Sequence, residues 1–141
     1  MIISSLLIAI FLILYSILIL EFRSAWNRSP EHLHVPGEGV FLSVIVPFHN
    51  EEDNLEMLIL DLKAQDYPQE KFEVILIDDH SEDSSFNFAK FLSKGSFNFR
   101  VIKNNLKQGK KFALKAAAES AIGDFLLITD ADCRLPSGWI S

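Results

Sequence analysis

Four strand-like runs, three of them mostly apolar and each followed by polar residues, alternate along this chain with stretches of helical periodicity and leave few folds open to it. The first, residues 41–46 (FLSVIV), is closed by Pro47. A run without polar alternation predicts a strand buried on both faces, because a half-solvated strand would alternate. Asn50 then stands where a cap is expected, before a first turn carrying Glu51, Glu52 and Asp53, charges that suit the positive end of a helix dipole. Leu55, Leu58, Ile59 and Leu62 recur at helical spacing until Asp66-Tyr67-Pro68 ends the pattern. Residues 72–77 (FEVILI) predict a second buried strand, stopping at Asp78-Asp79. Asp83 opens a second helix that runs to about Leu92 and is broken by Gly95-Ser96. Residues 97–102 read as a third strand, and residues 110–121 as an alanine-rich helix stopped by Gly123. Residues 125–129 (FLLIT) form the fourth strand and run into Asp130-Ala131-Asp132.

Strict alternation of strand and helix predicts an α/β fold with a doubly wound, mostly parallel sheet. Sheets of this kind bind ligands in the crevice beyond the carboxyl ends of their strands. Three polar clusters fall at that edge: Pro47-Phe48-His49-Asn50, Asp78-Asp79-His80-Ser81, and Asp130 with Asp132. A sheet that stops at its fourth strand also leaves an apolar edge or face.

The apolar residues are unevenly spread. Residues 1–20 hold no charge, so all 13 basic and 19 acidic side chains lie beyond them. Twenty helical residues cover about 30 Å, the thickness of a bilayer's hydrocarbon core. No basic n-region, short apolar run or small-residue cleavage site marks a cleaved signal peptide. Residues 1–21 are therefore expected to form a retained single-pass transmembrane anchor, residues 22–39 a linker and residues 40–141 the globular part. Arg23 and Arg28 follow the apolar run, with Trp26 between them, which places the globular part on the cytoplasmic side. His32 and His34 lie in a Pro/Gly-rich stretch with no acidic or cysteine partner nearby and read as solvated side chains. The single Cys133 excludes an intrachain disulfide framework and a multi-cysteine zinc site. A net charge of −6 argues against a nucleic-acid partner, and 49% hydrophobic residues exclude a wholly disordered chain.

Asp130 and Asp132 stand two apart at a strand end. Carboxylates so close repel unless a cation lies between them, and a hard divalent ion, Mg²⁺ or Mn²⁺, would then bridge to phosphate oxygens. An acidic turn after a strand is the plainer alternative. Asp78 and Asp79 offer acceptors for a base N–H or a ribose hydroxyl, as acidic residues do in dinucleotide-binding sheets, or they are polar residues at a helix start. His49 offers a flat ring for a base to stack on, or is an idle loop residue. Lys110 and Lys111 open a helix where cations oppose the dipole, which points to an anion such as a diphosphate, or they belong to a solvated basic face.

Taken together, residues 43–55 (SVIVPFHNEEDNL), 74–85 (VILIDDHSEDSS), 109–114 (GKKFAL) and 123–133 (GDFLLITDADC) resemble family 2 glycosyltransferases of the GT-A fold, in order and in spacing. The resemblance implies inverting, metal-dependent transfer of a hexosyl-type sugar from a UDP- or GDP-sugar, with Mg²⁺ or Mn²⁺, onto a lipid or glycan acceptor of cell-envelope synthesis. By position it implies that the loop from Pro47 through His49 to Asn50 cradles the base and that Glu51 belongs to the nucleotide-binding set, with His49 standing where the family carries tyrosine or phenylalanine. It implies that Asp79 and Asp78 bind the base, that Lys110 lies near the nucleotide, and that Asp130 and Asp132 form the D-x-D pair. Asp132 would be the direct metal ligand, with Asp130 nearer the ribose or sugar. The catalytic base of the family lies further along than Ser141. The chain is thus expected to be an anchor plus the donor-binding half of such an enzyme. The alternative is a non-catalytic nucleotide-sugar-binding or assembly subunit. A receiver-like signalling domain would leave the D-x-D and the Pro47 loop unexplained.

Overall fold

The structure is a computed structural model that describes residues 2–27, 40–96 and 98–141. The chain divides into two units, residues 1–36 and 37–141.

Among the described residues, the first unit contains one helix, α1 (Ile2–Asn27). Residues 21–27 contain no proline or glycine, so the helix continues past residue 21, where the linker was expected to begin. Large apolar side chains such as Phe11, Leu14, Leu20 and Phe22 are exposed. Among the described residues, however, no helix is long and apolar enough to cross a membrane, so the transmembrane anchor expected over residues 1–21 is not supported. Residues 28–39, with His32 and His34, lie outside the described residues.

The second unit follows the predicted alternation: β1 (Leu42–Phe48), α2 (Glu52–Lys63), a 3₁₀ turn (Gln69–Lys71), β2 (Phe72–Asp78), α3 (Ser85–Leu92), β3 (Phe99–Lys103), α4 (Lys110–Ser120) and β4 (Phe125–Ile128). The strands form one parallel sheet in the order β3-β2-β1-β4. Leu42, Val44, Val46 and Phe48 of β1 and Phe72, Val74 and Leu76 of β2 pack with α2 and with Ala89 of α3. The intervening Ile45, Ile75 and Ile77 pack with Ala113 and Ala117 of α4 in a second cluster. Side chains alternate across a strand, so each apolar run supplies both cores, and this is why neither strand alternates in polarity. Leu55, Leu58, Ile59 and Leu62 are the buried positions of α2, as their spacing predicts. The chain runs from β1 outward to β3 and then returns to the other side of β1 as β4. The switch point, where a ligand crevice forms, therefore lies between the carboxyl ends of β1 and β4.

Several local expectations are corrected. β1 continues through Pro47 and Phe48. Thr129 N donates to Ile45 O and Asp79 N to Phe48 O, so odd-numbered residues of β1 face β4 and even-numbered ones face β2. The N–H that Pro47 lacks would thus point past the end of the β4 ladder, which stops at Ile45–Ile128, and nothing is lost. Asn50 does not cap α2; it adopts φ 55, and Glu51 takes the cap position. α3 starts at Ser85, with Asp83 Oδ1 accepting from Ser85 N at 2.9 Å. The third strand begins at Phe99, and Phe97 lies outside the described residues. Gly123 is not a helix stop, since α4 ends at Ser120. A Cβ on Gly123 would lie 2.5 Å from Ser43 N, so only glycine lets the entry to β4 cross β1 this closely.

That crossing is tied by buried polar groups. Ser43 Oγ donates to Glu73 Oε1 at 2.7 Å and accepts from Gly123 N at 2.8 Å. Glu73 also accepts from Ile122 N at 2.9 Å and from Arg100 Nε at 2.9 Å, and Arg100 Nη2 donates to Ser120 O at 2.7 Å. Ser43 and Glu73 sit inside strands that otherwise read as apolar, and their partners satisfy them fully.

Candidate nucleotide- and metal-binding site

The turn after β1 is laced to the turn after β2. Asn50, in a left-handed conformation that asparagine tolerates, donates its N–H to Ser81 Oγ at 3.0 Å and accepts from Glu82 N on Oδ1 at 2.8 Å. Glu51 N donates to Ser85 Oγ at 2.8 Å. His49 Nδ1 lies 2.8 Å from Asp79 O. A carbonyl only accepts, so Nδ1 carries a proton, and the Asn50 amide 3.3 Å from Nε2 donates to that nitrogen. Both ring nitrogens are engaged in the ring plane, which leaves the faces of the imidazole for a ligand.

The two aspartates after β2 do different work. Asp78 is buried, and its Oδ1 accepts from Ser81 N at 3.1 Å. Asp79 is buried as well. Its Oδ1 accepts from Asn104 Nδ2 at 2.8 Å, and Gly109 N reaches Oδ1 at 3.1 Å and Oδ2 at 2.8 Å. Asn104 in turn donates to Lys107 O and accepts from Leu106 N. Asp79 and Asn104 together fold the loop that delivers α4, and Gly109 supplies the φ of 132 the loop needs. Burial pushes the Asp79 carboxyl up, but the hydrogen bonds from Asn104, Gly109 and His80 outweigh it and hold it below the ordinary carboxylate value.

After β4, Cys133 N donates to Asp130 O at 3.3 Å, closing a four-residue turn whose Ala131 is buried. The turn presents both carboxylates. Lys110 Nζ pairs with Asp130 Oδ1 at 2.5 Å, and this offsets the unfavourable position of a cation at a helix start. Asp132 has no ion pair among the described residues; Cys133 Sγ lies 3.8 Å from its Oδ1.

These groups converge on one cavity of about 240 Å³ lined by Pro47, Phe48, His49, Glu51, Asp79, Lys110, Asp130, Ala131 and Asp132. Seven of the nine residues expected from the sequence line it. Asn50 and Asp78 do not: their polar atoms are spent on loop hydrogen bonds behind it. Phe48 lines it as part of the Pro47 to Asn50 loop, and Ala131 between the two aspartates was not expected, because an apolar residue inside a polar motif carries no separate signal. Asn104 was also missed; its only trace in the sequence is an asparagine directly after a strand.

Among the described residues, no group of three or more His, Cys, Asp or Glu side chains encloses a metal. Asp130 and Asp132 are instead an open pair of hard oxygen donors. This fits Mg²⁺ or Mn²⁺ held by one or two carboxylates, with phosphate oxygens and water completing the shell.

The chain is 30% identical over 100 residues to glycosyltransferase AglE of Haloferax volcanii, an overlap covering 71% of this chain and 33% of that protein. It is 34% identical over 93 residues to a Methanococcus voltae dolichyl N-acetyl-α-D-glucosaminyl phosphate 3-β-D-2,3-diacetamido-2,3-dideoxy-β-D-glucuronosyltransferase, covering 64% and 29%. In structure it is similar to the mannosyltransferase PcManGT of Pyrobaculum calidifontis in complex with GDP-Man and Mn²⁺. There the TM-score is 0.71 at 28% identity, over 83% of this chain and 35% of the other. The chain thus spans about a third of the length of these relatives. The family model for glycosyl transferase family 2 matches residues 43–141, which takes in all of the sheet but Leu42 and every residue lining the cavity, and the chain belongs to that family.

Proposed function

We propose that this chain binds the nucleotide-diphosphate sugar of a metal-dependent, inverting glycosyltransferase acting on a lipid-linked or glycan acceptor in cell-envelope synthesis. The observation that carries the reading is the convergence of His49, Asp79, Lys110, Asp130 and Asp132 on one cavity at the switch point of the sheet. The face of His49, held in plane by its two nitrogens, packs against the base of a UDP- or GDP-sugar. Asp79 Oδ2 takes one protein donor, Gly109 N, and keeps acceptor capacity for a base N–H or a hydroxyl. Lys110 exchanges Asp130 for the diphosphate. Asp132, with Asp130 beside it, holds Mg²⁺ or Mn²⁺. When bound, the ion neutralises charge on the departing nucleoside diphosphate. Acceptor and catalytic base are assigned to no residue of this chain. The name of the Methanococcus relative, a dolichyl-phosphate-linked transferase, supports a lipid-linked acceptor. Association with a membrane through the exposed apolar side chains of α1, with residues 40–141 facing the cytoplasm, belongs to the same proposal.

Calorimetric titration with UDP and with GDP, with and without Mn²⁺, tests it. One nucleotide is expected to bind more tightly with Mn²⁺, and Asp132→Ala is expected to abolish that gain. Binding that ignores the metal and keeps full affinity in the variant overturns the reading.

A further inference from the structure

The turn carrying Asp130 and Asp132 continues into a segment fastened to the end of α2. Asp61 Oδ2 accepts from Arg134 Nε at 2.7 Å and from Leu135 N at 3.0 Å, and its Oδ1 accepts from Arg134 Nη2 at 3.0 Å. The guanidinium is thus held in a two-pronged fork, which fixes orientation as well as distance. Gln65, buried one turn further on, donates to Asp61 O at 3.0 Å and to Pro136 O at 2.8 Å, and accepts from Ile140 N at 3.1 Å. Asp66 N donates to Ser137 O at 2.8 Å. Leu135, Trp139 and Ile140 then join the core on the α2 face. None of these groups lines the cavity.

Upstream, the same turn has only a short anchor. β4 pairs with β1 over four residue pairs, and Thr129 N adds one bond to Ile45 O. The Lys110 pair and the burial of Ala131 hold the Asp130 side of the turn, whereas Asp132, exposed and two residues before Arg134, has the Asp61 fastening as its nearest tie. We propose that Asp61 and Gln65 are positioning residues that set where Asp132 stands, and so how well the Asp130–Asp132 pair takes the divalent ion arriving with a donor diphosphate. The proposal rests on the nucleotide-sugar reading above. Metal sites lose roughly ten- to a hundredfold in affinity when the partners that orient their ligands are removed.

The test measures nucleotide affinity of the full chain in detergent without metal, and then the gain on adding Mn²⁺, for the parent, Asp61→Asn and Arg134→Lys. Asp61→Asn removes the charge that holds the fork. Arg134→Lys keeps the cation but loses the second prong. Both variants are expected to keep metal-free affinity within about twofold and to lose roughly tenfold of the Mn²⁺ gain. A parent gain that the variants keep in full overturns the positioning role and leaves the nucleotide-sugar reading standing. Equal loss of metal-free and metal-dependent binding overturns it as well, because the fastening would then serve stability alone. A parent with no Mn²⁺ gain overturns the nucleotide-sugar reading and this proposal with it.

Discussion

β1 and β2 are buried at every residue, whereas β4 is four residues long and exposed at Phe125, Leu126 and Ile128. Both halves of the sheet nevertheless deliver polar side chains to the same cavity. His49 and Asp79 leave strands locked between two cores, so their positions follow from packing. Asp130 and Asp132 leave a strand that packing hardly holds, and the fold secures it with polar ties at each end. At its entry stand Ser43, Glu73, Arg100 and the close crossing at Gly123. At its exit stand Asp61 and Gln65. One cavity is thus built from two kinds of rigidity, apolar burial on one side and directional hydrogen bonds on the other.

The sharpest way to break the comparison is to remove the same kind of side chain from each half. Ile75→Ala, in the middle of β2, is expected to lower the unfolding free energy by about 2–5 kcal/mol, and Leu126→Ala on β4 by less than about 1 kcal/mol. Denaturant unfolding reads both, and equal losses would erase the distinction between the halves. A smaller effect is expected from Gly123→Ala, which forces a methyl against the β1 backbone at about 1–3 kcal/mol. Amide hydrogen exchange should show the change concentrated in β4 and Thr129 while β1–β2 protection falls only with global stability. Uniform loss across all four strands would argue against a separately tied β4.

The smallest effect concerns pH. The folded-state carboxyl of Asp79 titrates below its ordinary value, so its stabilisation is complete above the unfolded value of about 4 and is lost as the pH falls through the depressed folded value. Stability of the parent should therefore drop on acidification below about pH 4, and Asp79→Asn should converge toward it there. Parallel curves for the two proteins, measured by urea unfolding from neutral to acid pH, would show that the Asn104 and Gly109 contacts do not matter to the folded state.

Much of this fold is written locally. The apolar runs of β1 and β2, each interrupted by a single polar residue, required burial on both faces, and Leu55, Leu58, Ile59 and Leu62 required one buried helix face; both requirements hold. The errors cluster where a local rule met a tertiary demand. Pro47 reads as a strand end, but its missing N–H points past the end of the β4 ladder. Asn50 reads as a cap, but its amide is claimed by Glu82 and His49. Gly123 reads as a helix stop, yet it is needed for a backbone crossing 80 residues distant in sequence. Asp78 and Asp79 look alike as neighbours, and only their surroundings separate a loop brace from a cavity wall.

The strand–helix alternation, the sheet edge at which the polar clusters gather and the residue types available there are all legible in the chain, because periodicity and strand termination are local properties. Which of those residues share a cavity, and what holds them still, follows from packing and long-range hydrogen bonds instead. Those outcomes depend on hydrogen bonds such as Asp79 to Gly109 and Asp61 to Arg134, whose partners lie 30 and 73 residues apart and carry no mark of each other until the sheet brings them together.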